Sequence, residues 1–255
     1  MNGIGDKIIS FTNLYFSEYS RQTKEGKLKF DDDHSVFAFY LLDKIVENFA
    51  GVGELMKLSE RKNGDYLRNS MYILLRGNIS DTVIANWLFT VELGRQDNDS
   101  LREKINQLKR DHIRFHVSHL QKMESLGLLP PEEKIFELKI INSYYRHLLV
   151  EEVRPDLNWR KIEDSTSVKN MLNQQNKTNP VLVDAYKNYF LLSKIEHTGE
   201  FTRMILEKTY GSDNPMDQFV QSSIHVIECT IKALTPIFFD RKEFLNSIGS
   251  FTIIE

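Results

Sequence analysis

NPVLVDAYKNYFLLSKIEHTGEFTRMILEK, residues 179–208, is the stretch from which the rest of the chain is read. Asn179 suits an N-cap, Pro180 suits the first helical position, and Gly211 follows the last apolar residue. The segment therefore reads as one long helix. Its apolar stripe runs Tyr186, Phe190, Ser193, His197, Phe201 and Met204 at steps of three and four. A serine and a histidine stand where hydrophobes belong.

The same helical period recurs in both directions from this stretch. Upstream, residues 5–24 carry Ile8, Phe11, Tyr15 and Tyr19, and a second helix starts at Asp32 or Asp33 and runs through Phe39, Ile45 and Phe49. Gly51 and Gly53 are expected to interrupt it, with residues 54–61 continuing after a bend. A third helix, about 65–93, is apolar except for Arg76, Asn78, Ser80, Asp81 and Asn86. Ser100 and Glu103 form a capping box for a fourth, which Gly127, Pro130 and Pro131 close. Pro131 opens a fifth that extends through Leu148, and 154–178 reads as an irregular polar loop with one short helix near 168–172. Downstream, Asn214 and Pro215 start a helix that Pro236 should kink or end. A short helix at 241–248 and the apolar tail 251–254 follow. No period-two alternation, internal repeat or heptad is present. The expected architecture is all-α: a bundle of six to eight helices forming a single domain over 1–255, with N-terminal helices of 1–62 packing on a 65–240 core.

Composition narrows the function classes. At 255 residues and 41% hydrophobic content, the chain can bury a sizeable core. A formal net charge of -3 gives no global pull toward nucleic acid or anionic lipid. The single cysteine, Cys229, lies in an apolar run and reads as a buried inert thiol; a disulfide framework or cysteine zinc cluster is excluded. No basic-then-apolar leader and no charge-free run near the roughly 20 residues of a membrane span is found, so a cytoplasmic protein without membrane partners is expected. There is no G-x-x-x-x-G-K-[ST] loop, no G-x-G-x-x-G after a strand, no H-E-x-x-H and no G-x-S-x-G. Nucleotide hydrolases, dinucleotide enzymes, zincins and α/β-hydrolases drop out.

Three groups of residues remain as candidate chemistry. Ser193 and His197, four apart, share a helical face, and with Glu196 and a neighbouring arginine they hold the ingredients of a general base. The plainer reading is one interface histidine satisfied by a serine. Arg76, within an apolar helix, needs a carboxylate or an anion; Asp81 is five residues on and off its face, whereas Glu196 can serve from another helix. The plainer reading here is a structural ion pair. His112, His116 and His119 lie on one side of their helix, but His112 and His119 are about 10 Å apart along the axis, so one ion cannot take all three. His112 and His119 also continue the stripe Leu101, Ile105, Leu108, Phe115, Met123 and are expected at an interface. No metal or cofactor is expected. In the same helix Arg110 and His116 have the loose R-x4–6-H spacing of HEPN-type ribonucleases, in which arginine and histidine act on the phosphate and the 2′-hydroxyl without metal.

Two of these stretches together resemble a known family. Leu74-Leu75-Arg76 before an apolar helix with Trp87, and the later Tyr189-Phe190-Leu191-Leu192-Ser193-Lys194-Ile195-Glu196-His197, are similar to a large prokaryotic all-helical family of unknown function, HEPN-like in character. That family pairs an arginine-bearing helix with a later Y-x-x-L-S-x-x-x-H motif. The resemblance covers roughly 66–239 and implies that Arg76, Tyr189, Ser193 and His197 occupy motif positions. Ser80 departs from the pattern, where a glutamate is expected four residues after the arginine.

The leading expectation is an internal pocket formed by Arg76, Glu196 and His197 as reacting groups, with Tyr189, Ser193 and Asp81 as ligand-binding groups. Its partner would be a small anionic, phosphate-bearing ligand or an RNA cleaved without metal. Whether the chain is an enzyme stays open. The alternative is a non-enzymatic interaction or dimerisation module, in which the polar cluster only sets packing and the aromatic first helix or the 251–254 tail docks a partner or a second copy.

Overall fold

The computed structural model describes residues 3–28, 33–60, 67–89, 98–149, 171, 188, 192, 204, 207, 208, 215–240 and 248–254. Among them the chain forms α1 (Ile4–Lys24), α2 (Asp33–Ser59), α3 (Arg68–Phe89), α4 (Asn98–Ser125), α5 (Pro131–Tyr144), a 3-10 turn (Arg146–Leu148) and α6 (Pro215–Phe238), with no strand. The protein is an all-α bundle. Its residues gather into two compact units, Met1–Leu93 with Met171–Glu255, and Gly94–Asn170.

In the first unit α2 packs on α1 and α3, and α6 on α2 and α3. The α1–α2 pairing is antiparallel: Gly5 meets Gly53, Phe11 meets Phe49 at 6.3 Å between ring centroids, and Tyr19 meets Phe39 at 5.3 Å. The glycines that were expected to interrupt α2 do not, because the helix runs through both to Ser59. Their purpose is proximity. A Cβ on Gly53 would sit 2.9 Å from Ile8 Cγ2, and one on Gly51 would sit 2.8 Å from Leu74 Cδ2. The glycine cost in a helix is offset by the contact it admits.

α1 stops in a Schellman arrangement, with Gly26 in the left-handed region (φ 65), Lys27 N–H donating to Gln22 O at 2.9 Å and Gly26 N–H to Thr23 O at 3.2 Å. Gln22 itself is fully buried; its Oε1 accepts the Asp240 N–H at 2.9 Å, and its amide donates to Glu18 Oε1. The start of the chain is thereby fastened to the end of α6. Aromatic rings complete this junction: Phe239 stacks on Tyr15 at 5.2 Å and contacts Phe39 at 6.4 Å, and Phe238 meets Phe39 and Phe89 edge-on. Pro236 lies inside α6, and the helix ends within one turn of it. The tail folds back onto the same unit. Phe251 reaches Phe11 at 5.9 Å, and the buried Ile253 donates its N–H to Glu228 Oε1 at 3.2 Å.

The second unit is a helical hairpin. α4 starts at Asn98, so Ser100 lies in its first turn rather than at its cap. Gly127 (φ 68) ends α4 through a second Schellman arrangement, with Leu128 N–H on Met123 O and Gly127 N–H on Glu124 O, both at 2.9 Å. Pro130 is extended and Pro131 opens α5 at the first position, where its missing N–H costs nothing. The core is Ile113, Val117, Leu120, Leu138, Ile141, Leu148 and Leu149. His112, Phe115 and His119 are exposed, against the expected interface stripe. The inward stripe runs one position later, through Ile113, Val117 and Leu120, because α5 takes up that face.

Candidate functional site

The polar interruption of α3 turns inward. Asn78, Asp81, Thr82 and Asn86 are all buried, at steps that keep them on adjoining faces of the helix. Three of the four side chains are met by a neighbour. Asn78 Nδ2 donates to the Ile45 carbonyl of α2 at 3.0 Å, and Lys44 Nζ donates to Asp81 at 3.0 Å on one oxygen and 2.9 Å on the other. Asn86 Nδ2 donates to Thr82 O at 2.8 Å and to Thr230 Oγ1 of α6 at 2.7 Å. The polar row therefore stitches α3 to α2 on one side and to α6 on the other. Two atoms in it, Asn78 Oδ1 and Thr82 Oγ1, are buried with no hydrogen-bond partner.

Burial raises the Asp81 carboxyl above its usual range, and Lys44 opposes that shift through its hydrogen bond and charge. The lysine side chain is 58% exposed while the aspartate side chain is 12% exposed. Lys44 reaches in from the surface to cover a carboxylate that the helix has buried. Asp81 thus finds its cation on α2, and Lys44, embedded in the apolar run Leu41-Leu42-Asp43-Lys44-Ile45-Val46, was the residue that could have signalled it. Thr230 carried no such signal; its role follows only from the packing of α6.

Arg76 is half-buried on α3, and Gly77 beside it is exposed; beyond the helix's own backbone, no atom of the described residues lies within 4 Å of a Cβ placed there. Glu196, His197, Ser193 and Tyr189 lie outside the described residues. Within 179–208, only Asn188, Leu192, Met204, Glu207 and Lys208 are described, and all five are helical. Asn188 and Leu192, one turn apart, are buried, and Asn188 Nδ2 donates to Ser222 Oγ of α6 at 3.2 Å. Met204, expected on the inward stripe, is 63% exposed. The stripe as read from the sequence does not hold at that end.

Arg110 and His116 are drawn to separate carboxylates. Arg110 Nη1 bonds Glu103 Oε1 at 2.9 Å, two turns back on α4, and His116 Nε2 lies 3.4 Å from Glu137 Oε2 of α5. Six residues apart, they sit about 120° apart round the helix. Cys229 is only half-buried, and its sulfur is 3.5 Å from His225 Nε2, one turn earlier on α6. Burial and then Glu228 push its thiol up, and Lys232 opposes that shift. Among the described residues no three His, Cys, Asp or Glu side chains are placed to hold a metal ion, and no helix is long and apolar enough to cross a membrane.

A second buried polar pair lies between α1 and α2. The register that sets Gly5 against Gly53 and Tyr19 against Phe39 puts Tyr15 across from Asp43. The Tyr15 hydroxyl and Asp43 Oδ1 are both buried without a hydrogen-bond partner. Burial raises the Asp43 carboxyl, and Glu47 one turn on raises it further; burial and then Asp43 raise the Tyr15 phenol. A carboxyl whose folded pKa is raised contributes stability that is full below its unfolded pKa of about 3.9 and lost as pH climbs through the folded value. Asp43→Asn is therefore expected to raise the melting temperature near neutral pH and to give no gain below about pH 4. A neutral-pH melting temperature unchanged or lowered by this near-isosteric swap would refute the assignment.

No family model, no curated protein and no solved structure matches this chain.

Proposed function

We propose that the chain is a non-enzymatic helical interaction module, and that the polar row on α3 serves to hold α2, α3 and α6 in register. The carrying observation is the outer face of α5. Leu138 and Ile141 fill the hairpin core, yet Ile135 and Phe136 on the same short helix are 43% and 62% exposed. Adjacent exposed apolar side chains on the side away from the core fit a docking face. The surfaces expected from the sequence to dock a partner, the α1 aromatics and the tail, are packed on one another within the first unit. Most of the buried polar groups of α3 fit the same reading: the Asn78 amide donates to α2, the Asn86 amide donates to α6 and to α3 itself, and Asp81 accepts from Lys44 of α2. The expected result is that a mixed RNA pool stays intact with or without chelator and that inorganic phosphate gives no saturable heat of binding. RNA cleavage or phosphate binding that Arg76→Ala abolishes would overturn the proposal.

A second reading keeps one supporting observation. Among the described residues, open space lies beside the half-buried Arg76 at Gly77. A phosphate-bearing ligand or an RNA approaching Arg76, with Glu196 and His197 completing the site, is the pocket reading of the sequence; the family resemblance implies only the fold and a polar cluster that includes Arg76 and His197. The same experiment decides between them. The Arg110 and His116 pair supports neither, because each already faces a carboxylate that competes with a phosphate oxygen.

A further inference from the structure

We infer that α5 is a self-association helix, pairing antiparallel with α5 of a second copy about a two-fold axis that passes between Ile135 and Phe136. This rests on the interaction-module reading and names its partner. The outer stripe of α5 is Glu132, Ile135, Phe136, Lys139 and Ser143, which fall within about 100° of one another round the helix, and all five are exposed. It lies opposite the inward stripe of Lys134, Leu138 and Ile141. Glu132 and Lys139 are two turns apart, about 10 Å along the axis, too far to pair within one helix.

Their positions are symmetric about the Ile135–Phe136 midpoint. An antiparallel copy centred there sets Glu132 of each chain against Lys139 of the other, and Ile135 against Phe136, twice over. A two-fold interface must be self-complementary in this sense. The charge pattern of the stripe meets that condition in this antiparallel arrangement, whereas a parallel copy in register opposes Glu132 with Glu132 and Lys139 with Lys139. One 14-residue helix pair buries on the order of 1,000 Å² in total, the low end for a specific interface. The dimer is accordingly a weak one, with its population rising through the micromolar range.

Sedimentation equilibrium of the full chain across that range is the test. The expected result is a monomer–dimer equilibrium that Phe136→Ser weakens by about tenfold or more. Lys139→Glu and Glu132→Lys should each dissociate the dimer, and the double variant Glu132→Lys/Lys139→Glu should restore it, because the swapped charges meet again across the axis. These positions are exposed, so folding is preserved and far-ultraviolet circular dichroism should be unchanged. A monomer at every concentration, or a double variant that stays dissociated, overturns the inference. A monomeric chain that leaves RNA intact sinks only the second-copy assignment, whereas Arg76-dependent cleavage sinks the module reading whatever the oligomeric state.

Discussion

Phe239→Ala is expected to cost about 3–5 kcal/mol of unfolding free energy, the range for deleting a fully buried phenylalanine ring. Phe239 is 0% exposed, and its ring touches Tyr15 and Tyr19 of α1 and Phe39 of α2 from its place just beyond α6. Three helices lose a shared contact at once. Aromatic pairs add about 0.5–1.5 kcal/mol beyond area burial, so the loss should fall in the upper part of that range. Urea unfolding followed by circular dichroism measures it, with Phe115→Ala as the control. Phe115 is 71% exposed, and its removal should change stability by no more than about 0.5 kcal/mol. A Phe239 loss below about 1 kcal/mol would mean that the aromatic junction does not hold α1 to α6.

Gly5→Ala is the second large effect, and it comes from adding atoms. A Cβ there would stand 2.8 Å from Gly53 O, 2.9 Å from Lys57 N and 3.3 Å from Met56 Cβ. The two nearest atoms are helix backbone, which cannot swing aside as a side chain can. α1 and α2 must therefore part, at a cost of about 1–3 kcal/mol for overpacking, set against the helix propensity gained by losing a glycine. Gly77→Ala supplies the opposite sign. It sits in mid-helix with open space around the added Cβ, so a gain of about 0.5–1 kcal/mol is expected. Thermal unfolding of the two variants side by side reads both. Opposite signs cannot arise from propensity alone, so a stabilised Gly5→Ala would show that the close approach is absent.

The helices were legible in the sequence because 3.6-residue periodicity, proline at first turns and glycine after last turns are local signals. Pro131 and Gly127 behaved as read. What the sequence hid was tertiary. Gly51 and Gly53 look like breakers until Leu74 and Ile8 are placed beside them. α4 carries two apolar stripes, one through Leu108 and Phe115 and one through Ile105, Ile113, Val117 and Leu120, and only the partner helix selects the second. The candidate site divides in the same way. That α3 has a polar row could be read directly, because Asn78, Asp81 and Asn86 break an apolar run. That Lys44 and Thr230 answer it could not, since they are 37 and 144 residues away in sequence from Asp81 and Asn86. Pairings across such separations are set by packing and leave no local pattern.

The hydrogen bond from the Asp240 N–H to Gln22 spans 218 positions of the chain. It closes a unit whose two parts, Met1–Leu93 and Met171–Glu255, are separated by the whole of the other unit. Synthesis from the N-terminus therefore delivers α1, α2 and α3 long before α6 exists to cover them. At typical translation speeds the interval is roughly 7–30 s. During it Tyr15, Phe39 and Phe89 have no Phe238 or Phe239 to receive them, whereas Gly94–Asn170 is contiguous and can fold as soon as it emerges. The hairpin thus completes first, and the first three helices wait with an apolar face uncovered, the interval in which a nascent chain most needs a chaperone.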